Sequence, residues 1–400
     1  MSVSELIQKI NEVVANPPTQ DALHPSERVA LWKALDSLRG AIENPVEATG
    51  RIAFGAYEQV GLRLGIEMGI FNSMATVLPA GEMEVTELAE KINADSLLVG
   101  RVMRLLSAMG LFKEVSENKY ANGPLAPVFT DGSPFPDVVL HLTTGSEVLM
   151  RLPEYLKNTN YKNPMKAKDG PFQFAKGTDL HYFDWLKTDP AQAKAFATLM
   201  SIQRMDRGEP WFDFYPVEER FARSSNMSTT PLMVDIGGSL GNDLAAFHAR
   251  FPSLQGALVL EELPEVIESI TDLDTSIVQV KHDFFLPHPE IAQGAKAYFL
   301  STILHDWPDK EAKMILANIR GAMKEDSILL INENALPDTN VPLYPAKLDF
   351  LMMSFFSGID RTIKQFRALL EESGFELVKV HQPKVVRPGT GYVFEAILKR

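Results

Sequence analysis

Apolar positions in this chain follow two rhythms, and the change between them falls near Pro231. In the first part, Ser4 to Val14 and Ser26 to Ile42 carry apolar residues at three- and four-residue spacing, which predicts helices with one buried face. Asn16-Pro17-Pro18 separates them, because proline cannot continue a helical hydrogen-bond ladder. A further helix is predicted over Ala53 to Glu67, followed by the apolar Met68-Gly-Ile-Phe71. Val85 to Ile92 reads as a short helix opened by Thr86, and Asp95 is placed to cap a longer one from Ser96 to Met109. Phe112-Lys-Glu-Val115 and Lys119-Tyr-Ala-Asn122 flank a turn and read as a hairpin, so the unit has a winged-helix arrangement. Segment 124–230 stays helical, with Pro-, Gly- and Asn-rich loops around 158–178.

From Pro231 onward, short apolar runs alternate with helical ones: 232–236, 257–260, 277–280, 297–301, 327–332, 376–380 and 392–398. That alternation predicts an α/β, Rossmann-like, doubly wound sheet with helices on both faces. The chain therefore divides into a helical region with the winged-helix unit (1–125), a helical connector (126–230) and the sheet domain (231–400).

Ligands on such sheets sit outside the carboxyl ends of the strands, and the chemically interesting residues fall there. In Leu232-Met-Val-Asp-Ile-Gly-Gly-Ser-Leu-Gly-Asn-Asp-Leu244, a buried strand holding Asp235 turns through Gly237, Gly238 and Gly241 into a helix. Glycine allows a tight turn and close approach of a ligand. Glu262 follows the next strand, and a carboxylate about 20 residues beyond such a loop is where a ribose would be held. Asp283-Phe284, after the third strand, pairs an acceptor with a flat apolar ring and suits adenine; loop capping and core packing account for it equally well. His305 opens His-Asp-Trp-Pro-Asp309 shortly after the strand ending at Ser301. An imidazole titrating near neutrality can take a proton from a hydroxyl; an isolated one is more often a loop cap, and its place at the sheet edge with acids at nearby strand ends favours the base. Glu333 ends the fifth strand, and Asp360 lies in Gly358-Ile-Asp-Arg-Thr362, either beside the imidazole or capping the helix that follows.

Composition narrows the partners. The hydrophobic fraction of 45% and charged fraction of 23% are those of a globular protein, and no apolar stretch reaches transmembrane length. The start lacks the basic-then-apolar layout of a secretory signal, and the absence of cysteine suits a reducing cytoplasm. A formal charge of −13 argues against nucleic acid, even with a winged helix present. Without thiolates, metal ligation would fall to His, Asp and Glu. His305, Asp306 and Asp309 make an implausible set, so no metal is expected.

The ordered series Val234-Asp-Ile-Gly-Gly-Ser-Leu-Gly241, Glu262-Leu-Pro264, Asp283-Phe284, His305-Asp-Trp307, Asn332-Glu-Asn334 and Gly358-Ile-Asp-Arg-Thr362 resembles the S-adenosylmethionine-dependent O-methyltransferases of the class II, caffeate-methyltransferase-like family. Pro171-Phe-Gln-Phe174, Gly177-Thr-Asp179 and Trp211-Phe-Asp-Phe-Tyr-Pro216 are similar to its fungal secondary-metabolite members. The resemblance implies S-adenosyl-L-methionine as cofactor, held by Asp235, Gly237, Gly238, Gly241, Glu262, Asp283, Phe284 and Ser301. It implies His305 as general base flanked by Glu333 and Asp360, methylation of a hydroxyl on a small aromatic or polyketide-like molecule, and a homodimer through the N-terminal helices. His141, Arg204 and Met353 fall on helices expected to line the substrate pocket, with Lys347 and Met352 beside the last. The chain departs from the family at Ser239 (usually Gly), Glu262 (usually Asp), Asp360 (often Glu) and Ser301 (commonly Lys or Arg). Some fungal members of this fold use the cofactor's positive charge for dehydration or pericyclic chemistry without transferring the methyl group, which is the second reading.

Overall fold

The computed structural model describes residues 2–18, 23–77, 81–205, 208–221, 230–384 and 391–400. It divides into two compact units, Met1–Pro127 and Val128–Arg400, so the helical connector shares a unit with the sheet.

The first unit is helical: Val3–Ala15, Pro25–Ile42, Pro45–Ala53, Gly55–Glu67, Ile70–Ala75, Val85–Lys91 and Ser96–Ala108. The helix predicted over 53–67 is Gly55–Glu67, and a helix the sequence reading lacked, Pro45–Ala53, precedes it, started by Asn44 with a capping box to Glu47 and ended at Phe54. Helix Val3–Ala15 buries none of its residues, and Val3, Ile7, Ile10 and Val14 stay exposed on the chain, contrary to the expected buried face. Strands β1 (Glu82–Glu84), β2 (Phe112–Ser116) and β3 (Lys119–Asn122) form an antiparallel sheet in the order β1-β3-β2. With helices Val85–Lys91 and Ser96–Ala108 they make the winged-helix arrangement, and the Asp95 carboxylate accepts the Leu98 N–H at the start of the second helix.

The second unit is built on seven strands: β4 (Met233–Ile236), β5 (Leu258–Glu262), β6 (Ile277–Lys281), β7 (Ala297–Ser301), β8 (Ile328–Glu333), β9 (Phe375–His381) and β10 (Tyr392–Leu398). Their order is β6-β5-β4-β7-β8-β10-β9. The first five are parallel, and β10 runs antiparallel to both neighbours. Alternate side chains enter two cores. Val234, Ile236, Tyr298, Leu300, Leu329 and Ile331 pack on one side with helices Asp309–Ala322 and Ile363–Glu372. Met233, Leu260, Phe299 and Leu330 pack on the other with Trp211, Phe212 and Phe247. Burial on both faces is why these strands read as unbroken apolar runs. Strand order reverses between β4 and β7, which opens a crevice at their carboxyl ends. Among the described residues, no helix is long and apolar enough to cross a membrane.

Candidate active site

Loops after β4, β6 and β7 converge at that crevice. A side chain on Gly237 would press on the end of the Ile303 side chain, 2.7 Å from Cδ1, and the left-handed φ of +68° favours glycine there. Gly237 (φ +68°) donates its N–H to the Glu261 carbonyl at 2.8 Å, and Gly241 (φ +76°) opens helix Asn242–Arg250. Gly238 lies over the fully buried Asp235 carboxylate and 2.6 Å from Leu260 Cδ1 when a Cβ is built on it. Asp235 therefore supports the glycine turn from below. Ser239 also takes a left-handed φ of +55°.

Glu262 is fastened to this turn: its carboxylate accepts the Ser239 N–H at 3.1 Å and the Leu263 N–H at 2.7 Å. Asp283 is exposed and accepts the Phe285 N–H at 2.9 Å, while half-buried Phe284 meets Trp307 edge-on at 6.0 Å. Ser301 Oγ accepts from Asn332 Nδ2 at 3.2 Å.

His305 sits in a 3-10 turn, Leu304–Asp306, with its ring 18% exposed. Its Nδ1 bonds Asp360 Oδ1 at 3.3 Å, and Nε2 lies 3.5 Å from Asp306 Oδ1. The turn is held on every side. Glu333, fully buried, accepts the Ile303 and Leu304 N–H groups at 2.8 and 2.7 Å through one oxygen. Arg361, 1% exposed, donates to the Leu304 and Trp307 carbonyls at 2.7 and 3.0 Å and to Asp309 at 2.7 Å. Gly358 packs on the His305 carbonyl too closely for any side chain, and the Ile359 N–H donates to that carbonyl at 2.9 Å. Asp360 does not cap the following helix; Thr362 does, in a capping box with Gln365. The Asp360 carboxylate is left for the imidazole, and its own N–H donates to Asp349 at 3.1 Å.

The electrostatics follow. Burial opposes charge on His305, but Asp306, Glu333 and Asp360 outweigh it and hold the imidazole up at about 10. Burial pushes Asp306 up to about 7 against the pull of His305, and raises Glu333 and Asp349 as well. At neutral pH the imidazole carries its proton and Asp306 beside it is partly neutralised.

Of the expected substrate residues, His141 is buried on helix Phe135–Thr144 among Tyr182, Phe196 and Phe355. Its Nε2 lies 3.4 Å from the Tyr182 hydroxyl, its Nδ1 has no partner, and burial holds it at about 4, hence neutral. Met353 is half-buried on helix Leu343–Phe356, whereas Lys347 on the same helix is exposed. Arg204 lies on helix Pro190–Met205, but its side chain falls outside the described residues.

Sequence reasoning missed five functional candidates. Asp306 and Arg361 were visible only as neighbours of His305 and Asp360. Glu261, His282 and His288 also gather behind the site, with burial depressing the His282 imidazole against the pull of Glu261. Strand alternation turns Glu261 away from Glu262, and the spacing His282-Asp-Phe-Phe-Leu-Pro-His288 was the available signal.

Residues 161–376 match the O-methyltransferase domain model, and residues 51–132 match the O-methyltransferase dimerisation domain model. The chain is also 33% identical over 352 residues, 88% of each protein, to demethylsterigmatocystin 6-O-methyltransferase of Aspergillus parasiticus. The chain belongs to the O-methyltransferase family. Two solved structures share this O-methyltransferase architecture at 26% identity. One, LepI in complex with SAM, superposes with a TM-score of 0.84 over 100% of both chains. The other, described as a pericyclic reaction enzyme, has a TM-score of 0.83 over 99% of this chain and 100% of its own. The family match gives the loop after β4 and the His305 cluster a common setting, the catalytic domain of an O-methyltransferase.

Proposed function

We propose that this O-methyltransferase uses S-adenosyl-L-methionine to methylate a hydroxyl of a small aromatic or polyketide-like secondary metabolite, with His305 as general base. The observation that carries the reading is the imidazole held between Asp360 and Asp306 at the topological switch point of the sheet. The residues present fit the cofactor. Glu262 holds a carboxylate at the turn by accepting backbone N–H groups, and a carboxylate there is an acceptor of the kind that suits ribose hydroxyls. Asp283 presents an exposed carboxylate beside a half-exposed ring, and the acids around His305 complement a cation. When bound, the cofactor supplies a methyl group on a positively charged sulfur.

The chain's own residues supply positioning and proton management. With the His305 ring in its neutral form, the substrate's hydroxyl proton passes to it as the oxygen gains the methyl group. Asp360 and Asp306 stabilise the cation that results, and Glu333 and Arg361 fix the turn so that the ring stays aimed. Neutral His141, in its aromatic setting, can donate or accept a single hydrogen bond to a substrate oxygen without introducing charge. The unit matching the dimerisation model, and the exposed apolar face of helix Val3–Ala15, support a homodimer.

The likeness to a pericyclic reaction enzyme supports a second reading, in which the cofactor is bound but not consumed. Incubation with methyl-labelled cofactor and candidate phenols tests both. Label in the product supports methyl transfer. Product formed with all label retained on the cofactor overturns it in favour of the second reading.

A further inference from the structure

Glu261, His282 and His288 lie outside the chemistry described above, and no other role accounts for them. Glu261 is the penultimate residue of β5, His282 follows β6 directly, and His288 precedes the short 3-10 turn Glu290–Ala292. Glu261 and His288 side chains are 1% and 0% exposed and bond each other at 2.7 Å, Nδ1 to Oε2. The two imidazoles lie 5.1 Å apart, centre to centre. The pair interaction leaves three polar atoms without partners: Oε1 of Glu261 and Nε2 of both histidines. Buried polar atoms are almost always satisfied by protein, water or an ion. One donor atom from each of the three residues lies within 4.8 Å of the other two.

We propose that Glu261, His282 and His288 bind one divalent cation of the zinc class, at a site distinct from the methyl-transfer centre. Two imidazole nitrogens and one carboxylate oxygen, with no thiolate, suit zinc, nickel, cobalt or copper and disfavour magnesium or calcium, which take all-oxygen shells. Bonds of about 2.0–2.2 Å to one ion bring such donors closer together than in the empty arrangement. His282 is half-buried, so its ring can make that adjustment by rotating. A fourth position is left for water. The ion ties the end of β5 to the loop after β6 through side chains alone.

The test is zinc binding by the full-length, tag-free chain, stripped with chelator and titrated with zinc chloride. Calorimetry and elemental analysis are run beside thermal denaturation. One zinc per chain and a raised melting temperature are expected, with affinity falling at least about tenfold in His288→Gln and in His282→Gln. His282→Gln changes a half-buried position, so it remains informative if His288→Gln fails to fold. Absence of stoichiometric binding in the wild type, or equal affinity in wild type and His282→Gln, overturns the site and leaves a buried His–Glu pair hydrated by water.

Discussion

Replacing Asp360 by Asn removes one charge 3.3 Å from His305 Nδ1 while keeping the shape of the side chain. Full Coulomb attraction at that distance, with an effective dielectric constant of about 20, is about 5 kcal/mol and sets a ceiling. Hydrogen bonds to charged groups contribute about 1.5–3 kcal/mol net, or about 1 to 2 pH units at about 1.4 kcal/mol per unit. Asp306 and Glu333 remain, so the imidazole should fall from about 10 by that amount and still lie above its ordinary value. The backbone bond from the Asp360 N–H to Asp349 is untouched, so the turn should keep its place. Two measurements read the change on cofactor-free and working enzyme. An NMR titration of the imidazole Cε1–H, assigned by its loss in His305→Gln, gives the midpoint directly. The pH dependence of kcat/KM gives it kinetically, because that ratio reports the free enzyme's ionisations. The acid limb should move to lower pH by the same 1 to 2 units. The plateau rate should drop, because the imidazolium formed in the reaction loses a partner. A midpoint that stays put or moves to higher pH would refute the assignment of Asp360 as the orienting carboxylate.

The pH dependence of stability is a related expectation. His305 and Asp306 both have raised values in the folded chain, so their contributions are complete below 6.5 and 3.8 and are lost as pH rises through about 10 and about 7. Melting temperature should therefore fall from neutral pH toward pH 10, less steeply in Asp360→Asn, as scanning calorimetry can check. Gly238→Ala places a methyl group against the Asp235 carboxylate and Leu260, and overpacking of this kind costs about 1–3 kcal/mol in urea denaturation. Cofactor affinity should fall with it, since the turn must shift. Arg361→Lys cannot reach Leu304, Trp307 and Asp309 together, and leaving buried carbonyls without donors costs about 1–3 kcal/mol each. Its kcat should fall more than its affinity for S-adenosylhomocysteine, measured by calorimetry.

The sheet and its glycine turn were legible because strands buried on both faces must be apolar at every position, and Leu232 to Ile236 shows that without interruption. The convergence of Gly237, Glu262, Asp283, His305 and Glu333 followed from strand ends alone. What those residues touch did not. Glu333 was expected to flank the imidazole; it acts on the ring through its charge, while its carboxylate accepts the amides of Ile303 and Leu304, because the 3-10 turn presents two N–H groups to it. Asp306 faces Nε2 for the same reason: a tight turn sets neighbouring side chains side by side, which periodicity cannot register. The helix Pro45–Ala53 went unread, although Asn44-Pro45-Val-Glu47, a cap residue with proline at the first helical position and glutamate at the third, signalled its start.

The charge balance of the cluster leads to one more expectation. Without cofactor, a proton on His305 offsets the surrounding acids, of which Asp306 is itself partly neutralised by burial, so the imidazole cannot act as a base until that proton leaves. Under the proposed function, a sulfonium brings a second positive charge to the same crevice and competes with the proton for the same carboxylates. Binding of S-adenosylmethionine should therefore release protons near neutral pH, whereas S-adenosylhomocysteine, whose sulfur is uncharged, should release fewer. Calorimetry in buffers of different ionisation enthalpy counts those protons for each ligand, and the ratio of the two affinities should rise with pH. Equal proton release by both would mean that the cation and His305 do not share their carboxylates. His305 would then need another way to reach its neutral form. With unequal release, the arrival of the methyl donor itself arms the base, and the high resting value of His305 becomes part of how the site works.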